Sequence, residues 1–235
     1  VIIHKSPGAG DPWLGSLFWP GAPGKQPARS LGKEAPLSLK ESITALQRTL
    51  AARDPYTGQH SIRVAALAAS FAQYLGLASE DLRSLGNAVN LHDLGKVGIS
   101  DAILLKQGPL TPQERQIINT HPVIGVKIVE PLNLSPREKE IILLHHERWD
   151  GNGYPLGLAG EDIPFLCRLT ALADVYDALV TDRPYRRQFT VSEALKEIEA
   201  HAGRQFDPRL AKEFIGFIAA TEAKAVATAA PPNPA

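Results

Sequence analysis

From residue 38 onward, apolar side chains recur every three or four positions, the period that lines one face of an α-helix. Leu39, Ile43, Leu46 and Leu50 keep this spacing, as do His60, Val64, Leu67 and Phe71, and His92 extends the row Leu82, Leu85, Val89. Helix starts share one form, in which a Ser or Thr caps free amides and a Glu three residues later caps back. Ser38 with Glu41, Thr111 with Glu114, Ser135 with Glu138 and Thr190 with Glu193 fit it. Pro112 and Pro136 then occupy the first helical position, where a missing amide hydrogen costs nothing, and Asp207-Pro208 opens the last helix in the same way. Strand alternation is weak and no repeat of solenoid period is visible, so the pattern predicts an all-α fold.

The ends break this pattern. Residues 1–37 are dense in Gly and Pro (Pro7-Gly8, Pro20-Gly21, Pro23-Gly24, Pro27, Pro36) and are expected to form a flexible linker. One domain is expected over residues 38–221, followed by a frayed helix end and disordered tail over 222–235. Apolar residues at 44% and charged residues at 21% exclude a wholly disordered or membrane-embedded chain. With 25 basic and 25 acidic residues there is no global field for DNA or an anionic membrane, so a charged ligand must be held locally. No run is long enough to span a membrane or form a signal-peptide core, and the single Cys167, read as a small core residue, excludes an internal disulfide framework. A cytoplasmic location follows as the expectation. The chain starts at Val1 and contains no Met, which leaves room for an upstream sensor or receiver domain and for a homodimer.

Five of the seven histidines, His60, His92, His121, His145 and His146, fall in the helical block. His60 and His92 lie on apolar stripes and point inward. His121 is expected to end the helix carrying Ile117 and Ile118, and His145-His146 the one carrying Ile141 and Leu144. A lone buried imidazole is ordinarily paired with a carbonyl. Five converging from four helices would need as many partners, whereas one or two cations satisfy them all. Asp93 and Asp174 supply the anionic charge such cations require. The absence of a thiolate ligand favours iron or manganese over structural zinc.

The strings His92-Asp93-Leu94-Gly95-Lys96, His121-Pro122, His145-His146-Glu147-Arg148-Trp149-Asp150-Gly151-Asn152-Gly153-Tyr154-Pro155 and Ala173-Asp174 carry a resemblance. From about Tyr56 to Pro208 the chain resembles the HD-GYP branch of the HD-domain phosphohydrolases, whose members are bacterial cyclic di-GMP phosphodiesterases. A bare His-Asp pair is a weak signal; the long string ending in Gly-Tyr-Pro is specific. The resemblance implies an HD-domain helical bundle around a buried metal centre. Its ligands would be His60, His92, Asp93, His121, His145, His146 and Asp174, with Asp93 bridging two divalent cations. It implies that Lys96 faces the scissile phosphate and that Arg183 and Arg186 contact the nucleotide. Lysine is common in the family at the second of these positions, and Arg186 keeps the charge with a different geometry. The loop of Gly153, Tyr154 and Pro155 is weighed equally as an irregular turn and as the site mouth. Lys106 is weighed equally as a helix cap and as a ligand contact. Asp54, Asp177, His4 and His201 are read as structural or surface residues.

Two such cations can generate hydroxide near neutral pH and clamp the oxygens of a phosphodiester during in-line attack, with Lys96 adding charge where the transition state becomes negative. The function implied is hydrolysis of cyclic di-GMP to linear pGpG in second-messenger signalling. The alternatives are a non-catalytic cyclic di-GMP receptor and an HD-type nucleotide phosphohydrolase; the complete ligand set weighs against the first and the Gly-Tyr-Pro string against the second. Relatives that bind a third cation carry Glu four residues before the first histidine, where this chain has Tyr56. A phenol is a poor ligand for a hard cation, so a binuclear centre is expected, and the resemblance further implies that such an enzyme stops at pGpG.

Overall fold

A computed structural model describes residues 37–182 and 187–229. Apart from Leu37, the expected linker lies outside the described residues, as do Arg183 and Arg186. Among the described residues, ten α-helices follow in order: α1 (Leu39–Arg53), α2 (Pro55–Tyr74), α3 (Ser79–Ala88), α4 (Asp101–Leu104), α5 (Pro112–Ile118), α6 (His121–Val129), α7 (Pro136–Leu144), α8 (Phe165–Val180), α9 (Val191–Ala200) and α10 (Pro208–Ala229). Short 3-10 turns cover Val89–Leu91 and Leu94–Gly98, on either side of His92-Asp93. Among the described residues, β structure is limited to two isolated bridges, Asp150 to Ala159 and Ala202 to Phe206.

All four Ser/Thr-Glu capping boxes form, and Asp207 Oδ1 accepts from the amides of Arg209 at 2.8 Å and Leu210 at 3.2 Å. A second aspartate-proline start was not anticipated: Asp54 accepts from the amides of Tyr56 and Thr57 and opens α2. One expectation needs correction. His121 begins α6 rather than ending the helix of Ile117 and Ile118. That helix stops at Ile118, and Pro122, which cannot donate within a helix interior, sits in the first turn of the next. At the other end α10 continues to Ala229, so the helix end expected beyond residue 221 is present, and its run of Ala residues suits a helix.

Helix α2 packs against α1, α3 and α8. Helix α8 is the most deeply set, with Leu169, Leu172 and Ala173 fully buried. Phe71 of α2 meets Phe214 of α10 edge to face, with ring centroids 5.0 Å apart. This core lies beside the centre and holds rigid the helices that supply it. Close approach at one glycine also brings chemistry together: a Cβ on Gly95 would stand 1.8 Å from the His121 carbonyl oxygen. Only glycine lets the Leu94–Gly98 turn lie against the start of α6, and that contact sets Asp93 beside His121.

Candidate metal centre

Each histidine reaches the centre from a helix end or a buried helix face. His60 projects from α2, His92 follows the 3-10 turn after α3, His121 opens α6, and His145 follows α7; all four are buried. His92, His121 and His145 share one local device. Their Nδ1–H groups donate to carbonyls three residues earlier, Val89 at 2.7 Å, Ile118 at 2.8 Å and Ile142 at 2.9 Å. A carbonyl only accepts, so Nδ1 carries the hydrogen and Nε2 turns inward as a lone-pair donor. Burial lowers the His92 pKa, drives that of His145 well below the usual imidazole range, and brings His146 down to about 3. These rings are therefore neutral at pH 7, the form that ligates metals.

The donor atoms gather in two groups that share one carboxylate. Asp93, His121, His145 and His146 form one, and His60, His92 and Asp93 the other, with donor atoms in each within 4.8 Å of one another. Asp93 Oδ2 accepts from Lys96 Nζ at 2.7 Å and lies 3.5 Å from His92 Nε2; Asp93 Oδ1 lies 3.3 Å from His121 Nε2. Burial opposes ionisation of Asp93, but Lys96, His92 and His121 outweigh it and hold the carboxyl well below its ordinary range.

Three observations test whether these residues fit a cation. Buried His92 Nε2 and Asp93 Oδ1 have no hydrogen-bond partner. The Nε2 atoms of His121 and His145 face each other at 3.4 Å although both hydrogens are spent on carbonyls. The donors are imidazole and carboxylate throughout, with Cys167 elsewhere in the core. Unsatisfied lone pairs aimed at one volume repel unless a cation lies between them, so the residues fit a metal.

Asp174 lies at the His60 side, its Oδ1 2.9 Å from His60 Nε2. Behind His60, its Nδ1 donates to Asp177 at 2.7 Å, and Arg63 donates to both oxygens of Asp177 at 2.7 and 2.9 Å. Asp177, read from the sequence as structural, thus orients a centre histidine. Its signal was its place three residues after Asp174, on the same helical face. Lys106 pairs with Glu114 at 2.6 Å. His201 is bonded to the Glu197 carbonyl away from the centre.

The Gly-Tyr-Pro loop folds back onto the histidine pair. Tyr154 N donates to the His146 carbonyl at 3.2 Å, and the two rings lie 4.8 Å apart. A Cβ on Gly153 would come within 2.4 Å of Arg148 N, so glycine is needed for this approach. Buried Glu147 anchors the far side, accepting from the amides of Leu156 at 2.7 Å and Leu158 at 2.9 Å. Burial, together with the charges of Asp93 and Asp174, raises the Tyr154 pKa and keeps its phenol protonated. A cleft of about 400 Å³ opens over the centre, lined by Tyr56, His60, Asp93, Lys96, His146 and Asp174. That is within the size range of small-molecule sites.

A family model described as "HD domain" matches residues 44–210. The chain belongs to the HD-domain family. It is 41% identical to a cyclic di-GMP phosphodiesterase response regulator of Xanthomonas campestris, over 72% of this chain and 46% of that protein. It is 39% identical to a cyclic di-GMP phosphodiesterase of Thermotoga maritima, over 75% and 49%. With a Vibrio cholerae protein named 3'3'-cGAMP-specific phosphodiesterase 2, identity is 44% over 73% and 33%. The chain thus spans about half or less of the length of these curated relatives. Its HD-domain fold recurs in the HD domain of the Listeria monocytogenes phosphodiesterase PgpH in complex with cyclic di-AMP. There the TM-score is 0.57 at 20% identity, covering 77% of this chain and 96% of that one. It also recurs in a cyclic GMP-AMP phosphodiesterase of V. cholerae, with a TM-score of 0.59 at 23% identity over 83% and 54%. Among the described residues, no helix of this HD domain is long and apolar enough to cross a membrane.

The metal-free centre has a pH signature. Burial opposes protonation of His60, but its bonds to Asp174 and Asp177 win and raise its pKa from 6.5 to about 9. A raised folded-state pKa stabilises the fold fully below the unfolded value and loses that contribution as pH climbs through the folded one. Urea titrations of chelator-treated protein should therefore show stability falling between pH 6.5 and about 9. A metal at His60 must displace this proton, so in calorimetry the apparent affinity should strengthen over the same interval. Stability that rises across this window would contradict the His60 assignment.

Proposed function

We propose that this HD domain is a metal-dependent phosphodiesterase that opens cyclic di-GMP to linear pGpG. The observation that carries the proposal is the pair of donor groups sharing Asp93, with orphaned Nε2 and Oδ1 atoms, at the floor of a cleft that also admits Lys96. His121, His145 and His146 would hold one divalent cation, His60, His92 and Asp174 the other, and Asp93 both. When bound, such cations supply Lewis acidity that acidifies water and neutralises phosphate charge. Lys96, at 23% side-chain exposure, keeps its ammonium at the cleft floor, where it meets the negative charge that grows on a phosphodiester under attack. Asp177 and the three carbonyl acceptors hold the imidazoles in fixed tautomers, so the donors need no reorganisation. Arg183 and Arg186 would grip phosphate and guanine, as the family resemblance implies.

Iron or manganese suits a donor set of imidazole and carboxylate. The centre is proposed to be binuclear, with Tyr56 stacked on the His60 ring at 6.1 Å where a third-site carboxylate would otherwise stand. Ring opening would then outrun conversion of pGpG to GMP. The names of the relatives favour cyclic di-GMP, and the 44% identity with a 3'3'-cGAMP-specific enzyme makes 3'3'-cGAMP the second substrate to test. Metal-loaded protein should be incubated separately with cyclic di-GMP, 3'3'-cGAMP and guanosine polyphosphates and the products resolved chromatographically. Cyclic di-GMP turnover supports the proposal. Preference for 3'3'-cGAMP transfers it to that substrate, and binding of intact cyclic di-GMP without turnover makes the protein a receptor.

A further inference from the structure

The stretch that carries His92, Asp93 and Lys96 is bound at both flanks by α1, a helix that contributes no donor atom to the centre. Ahead of the histidine, Gln47 Nε2 donates to Asn90 Oδ1 at 2.6 Å, and Asn90 in turn donates to the Gly86 carbonyl at 2.5 Å. Beyond the lysine, the last residue of α1 makes the larger attachment. Arg53 Nη1 donates to the Val97 carbonyl and Nη2 to the Ile99 carbonyl. The guanidinium also reaches Asp101 Oδ1, from Nε at 3.2 Å and Nη2 at 2.7 Å.

The backbone it grips is held internally by 3-10 bonds, Lys96 N to the Asp93 carbonyl and Ile99 N to the Lys96 carbonyl, both at 3.0 Å. Bonds of this type have poorer geometry than those of an α-helix, so such a turn depends on outside support to keep one conformation. On the α6 side the support is Gly95 against His121. On the α1 side it is Arg53. The Asp101 partner is 69% exposed, which makes that ion pair a weak contributor, whereas the two carbonyls need donors in fixed, diverging directions. A planar guanidinium supplies them and an ammonium does not.

We propose that Arg53 is a positioning residue that clamps the Lys96–Ile99 backbone from α1 and so aims Lys96 into the cleft. Arg53 bonds to the main chain and to Asp101, and acts on phosphate only through Lys96. The kinetic part of this inference rests on the phosphodiesterase reading; the structural part does not.

The test compares full-length wild type, Arg53→Ala, Arg53→Lys, Lys96→Ala and the Arg53→Ala/Lys96→Ala double variant. In metal-free protein, hydrogen exchange at the Lys96 and Ile99 amides should accelerate in both Arg53 variants while exchange in α8 stays unchanged. In metal-loaded protein, metal content by elemental analysis should stay at the wild-type level. With cyclic di-GMP, kcat should fall about ten- to a hundredfold for Arg53→Ala and for Arg53→Lys. KM should stay within about twofold, and Arg53→Ala should cost nothing further once Lys96 is absent. Unchanged exchange at the turn, full activity in Arg53→Lys, metal loss in step with activity, or additive effects in the double variant would each overturn the proposal. If Arg53→Ala does not fold, Arg53→Lys carries the same readouts. Should wild type fail to turn over cyclic di-GMP, the activity reading alone falls, and exchange in the metal-free protein still decides the clamp.

Discussion

Replacing Asp93 with alanine should abolish metal loading and lower turnover of cyclic di-GMP by at least about a thousandfold. Among the described residues, Asp93 alone is common to both donor groups. Its carboxylate is 2% exposed and stands within 3.5 Å of His92 Nε2, His121 Nε2 and Lys96 Nζ. Alanine removes the one anion that the two imidazole clusters have in common, and each half is then left short of negative charge for a divalent cation. The side chain packs no part of the apolar core, so far-UV circular dichroism should match wild type. Elemental analysis and steady-state kinetics on the same preparation measure both effects. A variant that keeps its metal and near-normal turnover would remove Asp93 from the centre.

Stripping the metal from the wild-type chain should be almost as damaging, and reversible. The folded protein then retains buried polar atoms without partners, His92 Nε2 and Asp93 Oδ1, and the close pair of His121 and His145 Nε2 atoms. A ligand that binds only the native state adds about 4 kcal/mol at a thousand times its dissociation constant. For a chain of this size that corresponds to a melting shift on the order of 10 °C. Chelator-treated protein should therefore melt about that much lower and lose activity, and both should return when iron(II) or manganese(II) is added back anaerobically. A melting temperature indifferent to metal would mean that the buried histidines satisfy one another after all.

The helical frame was legible in the sequence because its signals are local. A Ser or Thr and a Glu three residues apart need only one turn of backbone to meet, and all four such pairs do. The convergence of histidines was legible for a related reason, since helical period alone turns His60 and His92 toward the core. Interactions that depend on tertiary approach were not. Arg53 reaches the Val97 and Ile99 carbonyls, and main-chain acceptors leave no trace in side-chain patterning. The break before His121 was hidden because Thr120 makes no capping bond, leaving the apolar run through Ile117 and Ile118 to read as one continuous helix. Gly95 shows the same limit, since nothing local announces that a carbonyl from α6 occupies the space where its Cβ would be. Asp177 was within reach of sequence logic: it shares a helical face with Asp174, although its partners His60 and Arg63 lie far away in the chain.

Isotope transfer tests most directly whether water is the nucleophile that opens the cyclic dinucleotide at this centre. Metal-loaded protein should be incubated with cyclic di-GMP in water enriched in oxygen-18 and the product weighed by mass spectrometry. Hydrolysis adds one water across one phosphodiester: the bond from phosphorus to the 3' oxygen breaks, the 3' hydroxyl takes a proton, and the new terminal phosphate keeps the water oxygen. The expected product is linear pGpG carrying a single oxygen-18 in that phosphate, formed only when metal is present. Intact cyclic di-GMP with fully loaded protein, or pGpG formed equally well without metal, would contradict this expectation.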